Sequence, residues 1–316
     1  MHRARCRASV GLRSALRSPH AQVEPFTVTL TGPIVLAVLC GALLHAGWNA
    51  LIKAGLDKPL DTALVHSLGI FVAIPLLVLT GLPAPAAWPF MAASLAIHLG
   101  YYITLAGAYK HGDLGLTYPV MRGCAPLMVA IGSMVFIGEG ISAAAWAGVA
   151  ILCAGVVVLG LSRAALQGGD EARRRKALGF AFANAAIIAL YTVIDGIGVR
   201  LSGNALAYVA GLFVFDGIPY LLLVLWRRPG QRRAALAYMA GRWPVAMIGT
   251  LASLASYGIA LWAMTRAPVA VVAALRETSV LFAALIGTLF LREAFGWQRA
   301  AGTLVIVAGV MILRLG

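Results

Sequence analysis

Ten stretches of the chain are apolar over about the length a helix needs to cross the hydrocarbon of a bilayer, roughly 20 residues. They are residues 32–52, 62–80, 87–109, 114–137, 143–161, 178–199, 205–226, 243–264, 268–291 and 296–313. Each run is continuously apolar and does not alternate in and out, which predicts helices and argues against a barrel. The gaps are short, so successive helices pack as hairpins. One long polar gap, 162–176, reads SRAALQGGDEARRRK and divides the runs five and five.

The two groups of five repeat each other. The stretch LGLTYPVMRGCAPLMVAIGSMVFIGE, residues 114–139, has an echo 154 residues later, which carries Arg122 onto Arg276 and Glu139 onto Glu293. The same offset carries Ala147-Gly148 onto Ala301-Gly302 and Ala154-Gly155-Val156 onto Ala308-Gly309-Val310. With an odd number of helices per copy, the second copy enters the membrane from the opposite face. The expected fold is therefore an all-α membrane protein, ten transmembrane helices as two inverted five-helix repeats. Its units are a leader at 1–28, a first repeat at 32–161, a basic linker at 162–177 and a second repeat at 178–313. Repeats of this kind place a substrate site at their interface, near the midplane.

Composition agrees. The chain has 316 residues, 61% hydrophobic and 11% charged, whereas a soluble domain has about 25% charged residues. The net charge of +14 would suggest nucleic acid in a soluble protein; in this one, arginines in loops set membrane orientation, and no nucleic-acid partner is expected. With the buried Arg122 and Arg276 set aside, the odd-numbered loops hold fifteen Lys and Arg and the other side eight, five of them in the leader. The positive-inside rule then puts the odd loops in the cytoplasm and both termini outside. The leader has Arg3, Arg5, Arg7, Arg13 and Arg17 but no apolar core, so it is not a secretory signal; it reads as a disordered tail or a start assigned too far upstream. Cys6, Cys40, Cys124 and Cys153 have no disulfide or metal spacing, and no metal or cofactor is expected. Trp88, Trp226, Trp243 and Trp297 lie near run ends, where the interface favours indole rings.

Polar groups inside the runs must face the bundle interior or a watery cavity, because a charge at mid-bilayer costs about 2.5–3.5 kcal/mol. Arg122 and Arg276 each lie about nine residues into their runs, roughly 13 Å deep. They suit an anion clamp, or else internal pairs with Glu277, Asp195 or Asp216. Glu277, Asp216 and Asp195 are candidates for proton coupling, with a static salt bridge as the other reading of Glu277 and structural pairing near interfacial water as that of Asp195. Gly217 and Pro219 after Asp216 are expected to loosen the helix there. His45, Asn49 and Lys53 form one polar stripe of the first run, with Trp48 beside it; Tyr191 and Asp195 answer in the sixth. Tyr102, beside Tyr101 and His98, and Tyr118, one turn before Arg122, complete the candidate lining. His66 and His98 read as packing residues, and Pro119 and Pro126 predict a bend around Arg122. Glu139 and Glu293 at run ends are expected to meet basic residues.

The stretches HAGWNALIKAG at 45–55, AYKHGDLGLTYPVMRGCAP at 108–126 and APVAVVAALRETSVLFAALIGTLFLRE at 267–293, with the Gly-Glu at 138–139 and the AGV of the last run, resemble the drug/metabolite transporter superfamily, in its EamA-like ten-helix branch. That resemblance implies secondary transport of small metabolites, often efflux, across the inner membrane of bacteria. The function expected is alternating-access transport, as an exporter, of a small polar or amphipathic organic metabolite, with the lipid bilayer as the other partner; the oligomeric state is not legible. The chain lacks a Walker loop, H-E-x-x-H and G-x-S-x-G. An enzyme is therefore not expected; an intramembrane enzyme acting on lipid and a non-transporting membrane scaffold are the alternatives.

Overall fold

A computed structural model describes residues 30–112, 114–160, 171–290 and 296–315. These form eleven α-helices: α1 Gly32–Lys53, α2 Lys58–Thr80, α3 Trp88–His111, α4 Leu114–Phe136, α5 Ala143–Gly160, α6 Glu171–Leu201, α7 Ala205–Trp226, α8 Arg232–Met264, α9 Val269–Arg276, α10 Ser279–Phe290 and α11 Trp297–Leu315. A short 3-10 turn, Pro85–Ala87, leads into α3. With α9 and α10 taken as one broken span, ten segments are long and apolar enough to cross a membrane. No strand occurs among the described residues.

Local chemistry explains the helix ends. Pro33 and Pro59 sit in first turns, where a missing N–H costs nothing. The Asp57 carboxylate caps α2 through Leu60 N–H, and the Asn204 side chain caps α7 through Leu206 and Ala207 N–H. Gly203, at φ 69°, turns the chain sharply between α6 and α7, in a conformation that suits glycine.

Two helices exceed the apolar runs that predict them. Helix α6 starts at Glu171, so the basic stretch Arg173 to Lys176 is helical and not linker; residues 161–170 lie outside the described part. Helix α8 starts at Arg232 and runs 33 residues, about 50 Å. Hydropathy marks the part in lipid, whereas Glu, Arg, Lys and Ala extend a helix into water equally well. Helix α4 stays one helix through Pro119 and Pro126, and α7 through Gly217 and Pro219, so neither residue pair breaks its span. The break falls instead in the ninth span, at Glu277–Thr278.

Packing between the halves relies on small residues. Along α5 and α11, a side chain at Gly148 would strike Leu313, one at Gly155 Ile306, one at Gly302 Leu159, and one at Gly309 Leu152. As numbers rise on one helix they fall on the other, so α5 and α11 are antiparallel. Helix α3 packs on α6, α2 on α7, and α1 on α8. At α3–α6 the Asn184 amide donates to Tyr101 O and Thr104 Oγ1; at α1–α8 the Ser256 hydroxyl donates to Gly41 O at 2.7 Å. The core runs through these seams. Trp88, Trp226, Trp243 and Trp297 are all more than half exposed at run ends, as membrane-interface anchors would be. Cys40, Cys124 and Cys153 are free thiols; Cys6 lies outside the described residues.

Candidate functional site

A cavity of about 360 Å³ lies among α1, α2, α3, α4, α6, α7, α8 and α9. All eight residues marked in the sequence for substrate line it: Arg122, Arg276, His45, Trp48, Asn49, Tyr102, Tyr118 and Tyr191. Of the three carboxylates marked for protons, only Asp216 is at the wall. The lining reaches Ile52, Thr62, Tyr109 and Tyr220, which lie toward the odd-loop ends of their helices. None of it comes from the opposite ends. Lys53, the last member of the α1 stripe, is exposed beyond the wall.

The break in the ninth span arranges the charges. Helix α9 ends at Arg276, and α10 begins at Ser279. Between them the backbone tightens to three-residue bonds, Glu277 N to Ala274 O, Thr278 N to Leu275 O and Val280 N to Glu277 O. The Thr278 hydroxyl donates to Leu275 O at 2.7 Å and competes for that carbonyl. A helix C-terminus favours a cation and an N-terminus an anion. Arg276 therefore sits at the negative end of α9 and Glu277 before the positive end of α10.

Glu277 swings to Arg122. Its Oε2 is 2.9 Å from Arg122 Nε, and the two side chains are 6% and 14% exposed. The Nε–H does not lie along that line, so the contact is a charge pair and not an aligned hydrogen bond. Arg122 also donates to Ser279 Oγ at 3.4 Å. Arg276 differs. Among the described residues no carboxylate lies within ion-pair reach of it and no acceptor takes its N–H groups; its guanidinium lies 5.4 Å over the Tyr257 ring.

Tyr257 is held from behind. Its hydroxyl donates to Asp195 Oδ2, and the Tyr208 hydroxyl donates to Asp195 Oδ1 at 2.9 Å. Asp195 is fully buried. It does not meet interfacial water, because α6 continues past it and α7 and α8 cover it.

Asp216 meets His66 across α7 and α2, with Oδ2 2.9 Å from Nδ1. Gly217 makes this possible: a β-carbon there would lie 2.4 Å from the His66 carbonyl oxygen. Gly217 thus acts by close approach and not by loosening α7. His66 and His98, expected as packing, are both at the wall, His98 stacked on Tyr191 at 4.5 Å. Tyr102 stacks on Tyr220 at 4.9 Å. Tyr220, Ser253, Ser256 and Tyr257 were not legible as lining, although Ser253, Ser256 and Tyr257 share one face of α8 at helical spacing.

Each end of the bundle has its own charge cluster. At the end opposite the odd loops, Glu139 Oε1 lies 2.5 Å from Arg200 Nη2 and its Oε2 accepts Val269 N–H. Arg200 also donates to Met264 O and Ala267 O. This ties α4, α6 and the α8–α9 turn together, and supplies the basic partner expected for Glu139; Glu293 lies outside the described residues. At the odd-loop end Arg228 grips Asp57 through two bonds of 2.6 and 2.9 Å, and Arg242 Nε donates to Asp61 at 3.2 Å. The Arg228 guanidinium holds the Asp57 carboxyl below the usual carboxylate range.

Residues 175–315 match the EamA-like transporter family model. No curated protein matches the chain. Twenty-nine solved chains do. One of them, a crystal structure, superposes with a TM-score of 0.66 at 21% identity, over 90% of this chain and 96% of that one, a likeness of fold alone. With ten apolar spans this is a multi-pass membrane protein, and its residues 175–315 are similar to the EamA-like transporter family.

Proposed function

We propose that the chain is a secondary transporter that exports a small organic metabolite by alternating access across a bacterial inner membrane. The observation that carries this is the cavity: both halves wall it, and it holds two arginines deep in the spans. A charge at that depth is retained where it meets a partner or a solute.

Two inverted repeats, 32–161 and 178–313, supply the moving parts. What supports the inversion is the seam between α5 and α11. Its contacts come in pairs related by the 154-residue offset: Gly148 on Leu313 with Gly302 on Leu159, and Gly155 on Ile306 with Gly309 on Leu152. Reciprocal contacts of this kind define a two-fold axis. Because the helices are antiparallel, the axis lies across them, in the plane of the membrane.

The conformer fits the loading state of an exporter. Its cavity reaches the odd-loop side, which the basic residues assign to the cytoplasm. The Glu139–Arg200 cluster closes the other end. Direction would come from a proton on the Asp216–His66 pair, which faces the cavity; His98, Tyr102 and Trp48 are the polar groups around it.

The test is exchange of labelled organic acids by the purified chain in proteoliposomes. Saturable exchange is expected, with a pH dependence that Asp216→Asn flattens while exchange persists. Folded protein that moves none of a broad panel would sink the transport reading and favour an enzyme or scaffold. A pH profile unchanged in the variant would remove Asp216 as the proton carrier.

A further inference from the structure

The two arginines occupy equivalent places in the repeat but do not have equivalent surroundings. Glu277 lies against Arg122, and among the described residues no carboxylate pairs with Arg276. Arg276 lines the cavity with its N–H groups unclaimed by any described residue. A guanidinium has five donors in a planar fork, and the face of Tyr257 satisfies none of them as a hydrogen-bond acceptor would. The fork matches a carboxylate, which accepts two parallel bonds.

From these contacts we infer that Arg276, and not Arg122, binds the anionic group of the solute, and that the solute is an organic monocarboxylate. This rests on the transport reading for the identity of the cavity, but its own observations are the unequal partners of the two arginines.

Charge counting gives the valence. With the His66 imidazole protonated, it answers Asp216, the carboxylate at the wall, and Arg122 and Glu277 cancel each other. One positive charge is left without an answer. A monoanion neutralises it; a dianion would bring one negative charge in excess of what the wall answers. A solute bearing an ammonium group as well would have to take Asp216 from His66.

The wall describes the rest of the solute. Tyr102 on Tyr220 and Tyr191 on His98 present aromatic surface. The Trp48 indole N–H is buried and has no acceptor among the described residues. A flat or apolar body with a further oxygen would suit both. The cavity is near the small end of ligand pockets, which run from about 300 to 1,000 Å³.

Asp195 and Tyr257 are positioning residues for Arg276. Two tyrosine hydroxyls on one buried carboxylate fix the ring on which the guanidinium rests. Donation from Tyr257 to a carboxylate also enriches the ring in electrons and strengthens its hold on a cation.

The experiment measures thermal unfolding of the purified full chain in detergent at neutral pH, with benzoate, its uncharged analogue benzamide, and the dianion phthalate. Benzoate is expected to raise the midpoint, and benzamide and phthalate to do so less. Arg276→Gln should weaken benzoate binding about tenfold or more, the loss expected for a charge-assisted bond. Arg276→Lys should recover part of it. Tyr257→Phe keeps the ring but frees it from Asp195, and should weaken benzoate without abolishing its effect. Because Arg122→Gln alone strands Glu277, the comparison variant is Arg122→Gln with Glu277→Gln, which should keep the benzoate response. No response to benzoate in the wild type, an undiminished response in Arg276→Gln, or equal responses to benzoate and benzamide would overturn the inference. Arg276-dependent benzoate binding in a protein that exchanges no labelled acid would uphold it and sink the transport reading. Exchange untouched by Arg276→Gln would do the opposite.

Discussion

Removing either partner of the Arg122–Glu277 pair should cost more than removing both. The atoms are 2.9 Å apart and the side chains are 14% and 6% exposed. At an effective dielectric of about 20, two unit charges at that distance attract by roughly 6 kcal/mol, most of it offset by desolvation. Deleting one partner leaves the other charged and buried, at a cost of about 3–5 kcal/mol. Arg122→Gln and Glu277→Gln should each destabilise the fold by about that amount. The double variant leaves no stranded charge, so it should be no less stable than either single. Arg276→Gln should stay within about 1 kcal/mol of wild type, because it forfeits one stacking contact and strands nothing. The assay is unfolding of purified protein in mixed micelles of mild detergent and dodecyl sulfate, followed by helical circular dichroism. If the two single effects simply added in the double variant, to within about 0.5 kcal/mol, the groups would not be coupled and the reasoning would fail.

At the odd-loop end, the Asp57 carboxyl is held low by Arg228, so its contribution to stability is complete above the unfolded value of about 3.9 and fades as pH falls through the lower folded value. Unfolding midpoints taken between pH 6 and 3 should fall more steeply for wild type than for Asp57→Asn; parallel curves would refute this. Gly155→Leu should destabilise by at least about 1–3 kcal/mol, since even a β-carbon there would lie 2.7 Å from Ile306 N, while Gly47→Ala, with nothing within 4 Å, should be neutral or stabilising; equal effects in thermal unfolding would deny the seam its role. Glu139→Gln should loosen the closed end, read as faster labelling of Ala267→Cys by a membrane-impermeant maleimide, and an unchanged rate would mean the cluster is no seal.

The residues marked as lining were legible for a physical reason. In lipid a polar side chain has few places to go, so His45, Asn49, Arg122, Tyr191 and Arg276 could be assigned to an interior from their depth alone. Which interior residues touch was not legible. Asp216 and His66 are 150 residues apart on helices that are not neighbours in sequence, and what joins them is the missing side chain of Gly217. The break in the ninth span has neither Gly nor Pro to announce it; Thr278 acts through its hydroxyl. Arg228 and Arg242 counted only as loop charge and Asp57 and Asp61 did not figure at all, because hydropathy and the positive-inside rule do not say which charges meet. The starts of α6 and α8 were set too late for the related reason that an apolar run records lipid contact and not helix length.

The asymmetry of the two arginines comes down to one position. The repeat offset that carries Arg122 onto Arg276 carries Gly123 onto Glu277. In the first half, the glycine lets α4 press against α5: a β-carbon at Gly123 would lie 2.5 Å from Val157 and 3.1 Å from the Cys153 carbonyl. A carboxylate could not fit there. In the second half, Glu277 sits where the helix breaks, which frees it to turn across the interface to the other copy's arginine. A repeat with glycine at both positions would hold two unanswered guanidiniums deep in the membrane; one with glutamate at both would lose the α4–α5 contact and neutralise the site. Glycine in one copy and glutamate in the other leaves one arginine paired and the other unpaired at the cavity, the arrangement from which a single anion site is inferred. Introducing a carboxylate at Gly123 should therefore abolish folding before it alters binding, whereas Glu277→Gly, which frees Arg122 from its partner, should shift preference from benzoate toward phthalate in the same thermal assay. If benzoate remained preferred by the wild-type margin, the counting of charges would be wrong.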